Sequence, residues 1–267
     1  MTEYDLFDTR SGNAVVVALD HGIGTGAVDG FQNPLATLES VLDGEPDGVL
    51  VSPAFAEHYA DTLATSSAEL LVTADFVSPS SHPGEDVGPL VQQRAFDTES
   101  LLACDPVGIK TVLAFGRQDH RAFERNVEYI TTLASELDGT GVPLIVETVL
   151  WGTAVPDRLE TDPTYVANAC RIGWELGADI LKAPYTGTPE SFTPIATNAP
   201  VPVMILGGPA SGSVPAVLED VAEAMDSGSH GLIIGRSIWQ TPDPTAVVRA
   251  LRDIVHGDAH VEEAWST

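Results

Sequence analysis

The sequence contains two lysines, Lys110 and Lys182, and Lys182 stands within the apolar run 177–185. An ammonium group in such surroundings loses hydration, which favours the neutral amine. A neutral amine can attack a carbonyl group and form a Schiff base. The alternative is a lysine at a strand end that extends its charged group to water. We predict the catalytic role, in which a covalent Schiff base on Lys182 takes the place of a separate cofactor.

Asp20 is a candidate for proton transfer because it directly follows the apolar run 14–19. A carboxylate in that place is costly unless it is paired or takes part in chemistry. It could pair with Lys182 and assist proton transfers while a Schiff base forms. Alternatively, it caps the following turn. His21, the next residue, is a weaker candidate that could shuttle protons or contact the substrate.

Glu147 is a second candidate carboxylate, in the apolar run 143–150. The alternation of a strand places Glu147, Val149 and Trp151 on one face. If that face points inward, Glu147 is a candidate general acid or base whose pKa is raised by its apolar surroundings. If it points outward, the carboxylate pairs with an arginine. The sequence leaves both orientations open, and Glu147 is kept among the catalytic candidates.

Glycine turns follow the last two apolar runs, with Gly207 and Gly208 in one turn and Gly235 and Arg236 in the other. Backbone amides in such turns bind phosphate groups, and a guanidinium adds a bidentate charge. Ordinary tight turns are the alternative. We predict a phosphate-binding site there, with His21 among the residues that contact the substrate.

A metal site is not predicted. Cys104 and Cys170 are too few for a disulfide framework or a cysteine zinc site. Several histidines lie far apart along the chain, without the HxH or HxxxH spacing of metal ligands: His21, His58, His82 and His120.

The composition is strongly acidic, with 39 Asp and Glu against 12 Lys and Arg and a net charge of −27. Such a surface is typical of a protein from a high-salt cytoplasm, where salt screens the self-repulsion. Nucleic acids and anionic membranes are not expected as partners, because both need a basic surface. The sequence has neither a basic amino-terminal segment nor an apolar run of about 18 residues, so a cytoplasmic protein is expected.

Eight short runs, rich in apolar and β-branched residues, are predicted strands: 14–19, 48–51, 70–77, 109–115, 143–150, 179–183, 201–206 and 231–234. Helical spacing of apolar residues predicts helices between several of them: 123–137, 165–176, 214–225 and 245–255. Proline-containing pairs mark helix starts at 162–163, 188–189 and 243–244.

Continuous apolar strands that alternate with helices favour a parallel sheet covered on both sides. Eight such units in about 250 residues predict a (β/α)8 TIM barrel of the α/β class. A doubly wound sheet is the alternative, but the glycine-rich dinucleotide motif is absent after the first strand. We expect residues 1–267 to form one domain, with 256–267 a peripheral tail and 78–89 a loop over the barrel mouth.

Four motifs in a specific order span nearly the whole chain: 17–22 (VALDHG), 177–182 (GADILK) with 185–187 (YTG), 207–209 (GGP) and 235–240 (GRSIWQ). In these the chain resembles the archaeal-type class I fructose-bisphosphate aldolase superfamily. That superfamily also contains 2-amino-3,7-dideoxy-D-threo-hept-6-ulosonate synthase and the autoinducer-2 phosphate thiolase. The resemblance implies a (β/α)8 barrel with Lys182 as the Schiff-base lysine and Asp20 in the active site. It also implies phosphate binding by the two glycine turns and assembly into a homo-oligomer.

One departure from the family pattern lies at the end of the fifth predicted strand. Members usually have Tyr-Pro-Arg-Gly there, and the tyrosine transfers protons, whereas residues 149–152 are Val-Leu-Trp-Gly. Because valine cannot exchange a proton, either Glu147 takes this role or the reaction differs from the cleavage of fructose bisphosphate.

The leading interpretation is a metal-independent class I aldolase, a lyase that acts on a phosphorylated keto sugar such as fructose 1,6-bisphosphate. A transaldolase-type ulosonate synthase or an acyl-transferring thiolase on the same scaffold is the first alternative. A phosphosugar-binding paralogue without activity is the second, but a binding protein has no need of Lys182.

Overall fold

The computed structural model describes residues 4–79, 90–152, 154–207, 213–257 and 259–265. The strands in these residues are β1 (Ala14–Ala18), β2 (Gly48–Val51), β3 (Glu69–Thr73), β4 (Asp75–Pro79), β5 (Leu90–Arg94), β6 (Gly108–Ala114), β7 (Leu144–Val149), β8 (Ile180–Pro184), β9 (Val203–Leu206) and β10 (Gly231–Ile234). Eight of them close into a barrel in the order β1-β10-β9-β8-β7-β6-β3-β2, while β4 and β5 form a separate antiparallel pair. Neighbouring barrel strands are parallel, and the predicted (β/α)8 barrel is confirmed.

The helices surround this barrel: α1 (His21–Thr25), α2 (Pro34–Leu42), α3 (Pro53–His58), α4 (Ala60–Leu63), α5 (Thr98–Leu102), α6 (His120–Leu137), α7 (Pro163–Glu175), α8 (Pro189–Asn198), α9 (Val214–Asp226), α10 (Arg236–Trp239), α11 (Pro244–Gly257) and α12 (Val261–Ala264), with a 3-10 turn at Asp157–Leu159. Polar caps begin several of them. Asp162 and Thr188 each accept a backbone N–H at the start of α7 and α8, directly before a proline. The three helix starts predicted from proline pairs are confirmed.

The barrel interior is layered. Inward-facing apolar side chains fill its lower part, and they include Val16, Leu50, Ile145 and Met204. A second apolar cluster lies towards the carboxyl ends of the strands and contains Val112, Ala114, Val149, Val77, Trp151 and Leu206. Strand alternation places the polar inward residues of β6, β7 and β8 between these two layers. The charged groups described below are therefore enclosed by apolar side chains.

The predicted strand 70–77 is wrong in its extent, because it divides at Ala74. The Ala74 N–H donates to the Lys110 carbonyl and so remains with the barrel. Asp75 then begins β4, which pairs with β5 rather than with a barrel strand. Of the predicted loop 78–89, Ser78 and Pro79 belong to β4, and the remainder lies outside the described residues.

Of the predicted tail 256–267, His256 and Gly257 form the end of α11. The His256 ring lies 2.8 Å from Asp47, and Val261 and Trp265 pack against the core. Its role as a peripheral tail stays a prediction. Within the described parts of the chain, each helix is too short or too polar to cross a membrane.

Candidate active site

Glu147 lies between the two lysines inside the barrel. The register of β7 and β8 sets Glu147 beside Lys182, and Glu147 Oε1 is 2.9 Å from Lys182 Nζ. Its other oxygen, Oε2, is 3.2 Å from Lys110 Nζ on β6. All three side chains are at least 93 % buried, since at most 7 % of each is exposed. The inward orientation of Glu147 is thereby settled, and the alternative of a helix-facing carboxylate is excluded.

Asp20 extends this group of charges from the end of β1. Its Oδ2 lies 3.1 Å from Lys110 Nζ, and its Oδ1 lies 3.7 Å from His21 Nδ1. Lys110 also contacts the Thr73 hydroxyl at 3.5 Å. The sequence-based expectation that Asp20 pairs directly with Lys182 is wrong, because Lys110 and Glu147 stand between them.

The charges fix the protonation states of the unligated site. Burial alone would raise the pKa of Asp20, but the nearby Lys110 ammonium outweighs it and lowers that pKa to about 2. Burial would also raise the pKa of Glu147, yet Lys182 and Lys110 hold it below its ordinary value. The raised pKa expected for Glu147 is therefore wrong. Burial would lower the pKa of Lys110, but Asp20 and Glu147 raise it, so Lys110 is an ammonium ion.

His21 is neutral near pH 7, because burial lowers its pKa to about 4 despite the opposing effect of Asp20. Its Nδ1 is buried without a hydrogen-bond partner, and its ring packs edge-on against Trp239 at a centroid distance of 5.3 Å. His21 thus lies between Asp20 and the turn that follows β10.

That turn contains Gly235, which directly precedes α10, and Arg236, the first residue of α10. A Cβ at Gly235 would lie 2.5 Å from the Ala18 carbonyl oxygen and 2.5 Å from His21 Cε1, so a side chain has no room. At the end of the neighbouring strand β9, a Cβ at Gly207 would lie 2.7 Å from a methyl group of Ile234. The backbone is therefore closely packed at both turns, whereas Gly208 lies outside the described residues.

Arg236 is half-buried, and within the described ranges it has no carboxylate at ion-pair distance. The chain is rich in carboxylates, yet the Arg236 guanidinium is paired with none of those described, so it is available to bind an anion such as a phosphate. The structure thus brings Lys182, Glu147, Asp20 and His21 to one end of the barrel and sets the Gly235–Arg236 turn beside them.

Lys110 is the site residue that the sequence reasoning missed. The signal was present, because Lys110 is the other of the two lysines and lies in the predicted strand 109–115. Like Lys182, Lys110 is a lysine within an apolar run, where its ammonium group would lose hydration. Among the residues that the structure describes, no cluster of three or more His, Cys, Asp and Glu could hold a metal ion.

Chemically, the arrangement offers an amine in contact with one carboxylate, and a second ammonium ion that holds two carboxylates in place. The apolar cluster around Val149 and Val112 covers this layer. An amine, an adjacent proton acceptor and a dry environment are what attack on a carbonyl group requires.

Residues 14–241 match the model of the DeoC/LacD family aldolases. The chain is 32 % identical over 260 residues to the class 1 fructose-bisphosphate aldolase of Thermoproteus tenax, covering 95 % of this chain and 94 % of that protein. It is 30 % identical over 262 residues to the 2-amino-3,7-dideoxy-D-threo-hept-6-ulosonate synthase of Halobacterium salinarum, covering 94 % of this chain and 89 % of that one.

Among solved structures, an archaeal fructose 1,6-bisphosphate aldolase superposes with a TM-score of 0.81 at 28 % identity, covering 94 % of this chain and 96 % of that one. A further archaeal fructose-1,6-bisphosphate aldolase, with its catalytic lysine covalently bound to the carbinolamine intermediate of the substrate, has a TM-score of 0.80 at the same identity and coverage.

Proposed function

The chain belongs to the DeoC/LacD family of aldolases, within the class I Schiff-base superfamily, and we propose that it acts on a phosphorylated keto sugar such as fructose 1,6-bisphosphate through Lys182. As a member of this family it is a lyase. One observation carries the assignment to Lys182: its amine is buried in the barrel, 2.9 Å from a carboxylate that can take its proton.

The reaction begins when Glu147 accepts a proton from the Lys182 ammonium group. The neutral amine adds to the ketone carbon and gives a carbinolamine, and the protonated Glu147 returns the proton to the departing hydroxyl as water leaves. The resulting iminium accepts the electron pair of the breaking carbon–carbon bond, while a base removes the proton of the substrate hydroxyl. Protonation of the enamine and hydrolysis then release the second product.

The low pKa of Glu147 is compatible with this role. It is low because two ammonium groups lie within about 3 Å. Once Lys182 has given up its proton, one of the two charges that lower the pKa of Glu147 is gone, so Glu147 holds a proton more strongly than it does in the unligated site. Val149, which takes the place of the family's tyrosine, supplies only an apolar wall.

Lys110 acts as a positioning residue. Because Asp20 and Glu147 both contact its ammonium group, Lys110 stays protonated and is a poor nucleophile. It fixes the orientation of Glu147 towards Lys182 and keeps Asp20 ionised near His21, where Asp20 can assist the carbinolamine steps.

The substrate phosphate binds at the turns after β9 and β10. In this proposal Arg236 and the backbone amides of the turns at Gly235 and Gly207 donate to the phosphate, and the sequence adds Gly208 to these donors. The absence of a side chain at Gly235 lets this turn pack against the Ala18 carbonyl and the His21 ring, which sets Arg236 beside Asp20 and His21.

The test is borohydride reduction in the presence of a panel of phosphorylated ketoses, read by intact mass. We expect a single adduct per chain with at least one phosphorylated ketose, and none with borohydride alone. Treatment with EDTA should leave the rate unchanged, and a loss that zinc or magnesium restores would assign the reaction to the metal-dependent class.

The similarity to the Halobacterium salinarum synthase favours a transaldolase-type reaction as the second candidate. Both candidates use the same Schiff base and differ in the acceptor. On cleavage both release an aldehyde and leave an enamine on the lysine, which the aldolase protonates and the synthase adds to a second carbonyl compound. Turnover of the keto sugar with and without a panel of acceptor aldehydes distinguishes them, because the synthase requires an acceptor to complete its cycle. Homo-oligomeric assembly and adaptation to high salt stay predictions.

A further inference from the structure

Arg117 stands beyond the end of β6, after the turn Phe115-Gly116. Gly116 has a φ of +85° and contacts the loop that follows β7, so that an added Cβ would overlap Val155. The Gly116 carbonyl also accepts a hydrogen bond from the Ala154 N–H at 3.0 Å. These contacts join the two loops and fix the backbone from which the Arg117 side chain extends.

The hairpin of β4 and β5 orients the Arg117 guanidinium. Arg117 Nη2 donates to Gln92 Oε1 at 3.0 Å. The Gln92 amide nitrogen in turn donates to Asp75 Oδ2 at 2.8 Å and to the Val112 carbonyl. Because both amide hydrogens are used, the Gln92 oxygen is held towards Arg117. A partly buried chain of hydrogen bonds thus supports one edge of the guanidinium.

Among the residues that the structure describes, Gln92 is the one hydrogen-bond partner of the Arg117 guanidinium. Arg117 is half-buried, and its Nε is buried without a hydrogen-bond partner. Burial lowers the pKa of Arg117, an effect that Asp75 opposes, but the group stays charged. Within the described ranges, two arginines without a carboxylate partner are half-buried, Arg117 and Arg236. The other arginines without such a partner are exposed. The two half-buried, unpaired arginines therefore both lie at the carboxyl ends of barrel strands.

Arg117 follows β6 and Arg236 follows β10, and these two strands lie on opposite sides of the barrel. In the barrel order, β6 and β10 are separated by β7, β8 and β9 on one side and by β3, β2 and β1 on the other. Glu147 and Lys182 lie on the strands between them. An extended substrate whose phosphate is held at Arg236 would therefore pass over Lys182 and direct its far end towards Arg117.

We propose that Arg117 binds a second anionic group, at the end of the substrate remote from the phosphate at Arg236. The inference rests on the proposed function and narrows its substrate class to keto sugars with an acid group at each end. A phosphate and a carboxylate share the required chemistry, since both accept paired hydrogen bonds from a guanidinium. Gln92 is a positioning residue for this contact.

The experiment compares fructose 1,6-bisphosphate with fructose 1-phosphate, which lacks the second phosphate. Arg117→Gln removes the charge, and Arg121→Gln removes a nearby exposed charge as the matched control. Both variants and the unaltered protein are assayed at one salt concentration, by cleavage rate and by the ketose concentration that half-saturates borohydride trapping. Losing one charge-assisted contact should weaken the bisphosphate about 10-fold to 100-fold.

The result expected is that Arg117→Gln raises KM and half-saturation for the bisphosphate alone, while Arg121→Gln changes neither sugar. Gln92→Leu should give a smaller loss of the same selectivity. Arg117→Lys, which keeps the charge and is less disruptive to folding, should lose part of the preference for the bisphosphate. Equal losses on both sugars, or no loss on either with these variants, overturn the inference and leave the Schiff-base proposal intact.

Synthesis from dihydroxyacetone phosphate distinguishes the two anions. The acceptors are glyceraldehyde 3-phosphate, aspartate 4-semialdehyde and uncharged glyceraldehyde. If Arg117→Gln weakens only the phosphorylated acceptor, the group is a phosphate, and if it weakens only the semialdehyde, the group is a carboxylate. Failure of every sugar to trap and of every acceptor to condense overturns the proposed function, and this inference with it.

Discussion

Lys110 and Lys182 share one carboxylate, with Glu147 Oε1 2.9 Å from Lys182 Nζ and Glu147 Oε2 3.2 Å from Lys110 Nζ. The two lysines differ because Lys110 has Asp20 as an additional partner at 3.1 Å. Asp20 and Glu147 raise the pKa of Lys110 and stabilise it as an ammonium ion, whereas Lys182 contacts Glu147 as its single carboxylate among the described residues. The geometry therefore distinguishes two lysines of equal burial.

Lys182→Met should abolish borohydride trapping and turnover, because it removes the nucleophile. Peptide mapping of the unaltered protein should place the adduct at Lys182. Intact mass after reduction with a keto sugar is the measurement. Full activity in Lys182→Met, or an adduct only at Lys110 or the amino terminus, would contradict the assignment.

Lys110→Met is the matched comparison, since it removes the other buried lysine. Its adduct with a keto sugar should persist at Lys182, although turnover falls as Glu147 and Asp20 lose their shared partner. Because it leaves buried carboxylates without a cation, the free energy of unfolding should drop by about 3–5 kcal/mol. Urea unfolding measures that drop, and near-UV circular dichroism establishes that the variant used for trapping is folded.

Glu147→Gln should lower turnover by roughly 100-fold to 10,000-fold, the loss typical of a removed general acid or base. The amide cannot accept the proton of Lys182 or return it to the carbinolamine. Trapping at Lys182 should continue at a reduced rate, because Asp20 can still assist carbinolamine formation. Single-turnover kinetics separate the two effects. Near-normal turnover in Glu147→Gln would show that the proton transfers belong to Asp20, His21 or water.

The fold was predictable because the barrel strands are continuous apolar runs, and helix caps with proline mark the segments between them. The strand 70–77 was the exception. Its apolar character continues through Val77, but residues 75–77 belong to β4 in the hairpin and not to the barrel. Whether an apolar strand joins the barrel or pairs beside it depends on long-range partners, which hydrophobicity alone does not identify.

The position of several candidate residues at one end of the barrel was predictable from the sequence, but the contacts between them were not, and their roles stay predictions. Strand alternation predicted that Glu147 and Val149 share a face. The positions of Asp20 and Arg236 just after apolar runs predicted that both lie at the ends of barrel strands. The partner of Asp20 depends on the register of strands far apart in sequence, so Lys110 was missed. The pKa of Glu147 was mispredicted for the same reason. Its apolar strand predicts burial, which raises that pKa, but the contacts with Lys182 and Lys110 lower it.

Asp20 should make stability depend on pH. Its folded pKa of about 2 lies below the ordinary value of 3.8, so the stabilisation is present above the ordinary value and is lost as the pH falls towards 2. The free energy of unfolding of the native sequence should therefore fall by about 1 kcal/mol more between about pH 5 and pH 3 than that of Asp20→Asn. Urea unfolding at fixed salt measures this difference.

The control for that measurement is Asp5→Asn, because Asp5 is exposed. Its pH dependence should match that of the native sequence. If Asp20→Asn also matches it, the ion pair with Lys110 contributes nothing to folding stability, and the charges of the site serve the reaction alone.

Arg236→Ala should raise KM for a phosphorylated ketose by roughly one to two decades, since one charge-assisted contact contributes about 1.5–3 kcal/mol. Arg158→Ala, at an exposed arginine, should leave KM unchanged. The effect on fructose 1-phosphate separates Arg236 from Arg117, because this sugar retains the phosphate that Arg236 binds and lacks the group that Arg117 would bind. An equal loss on unphosphorylated fructose would instead assign Arg236 to the support of the turn after β10.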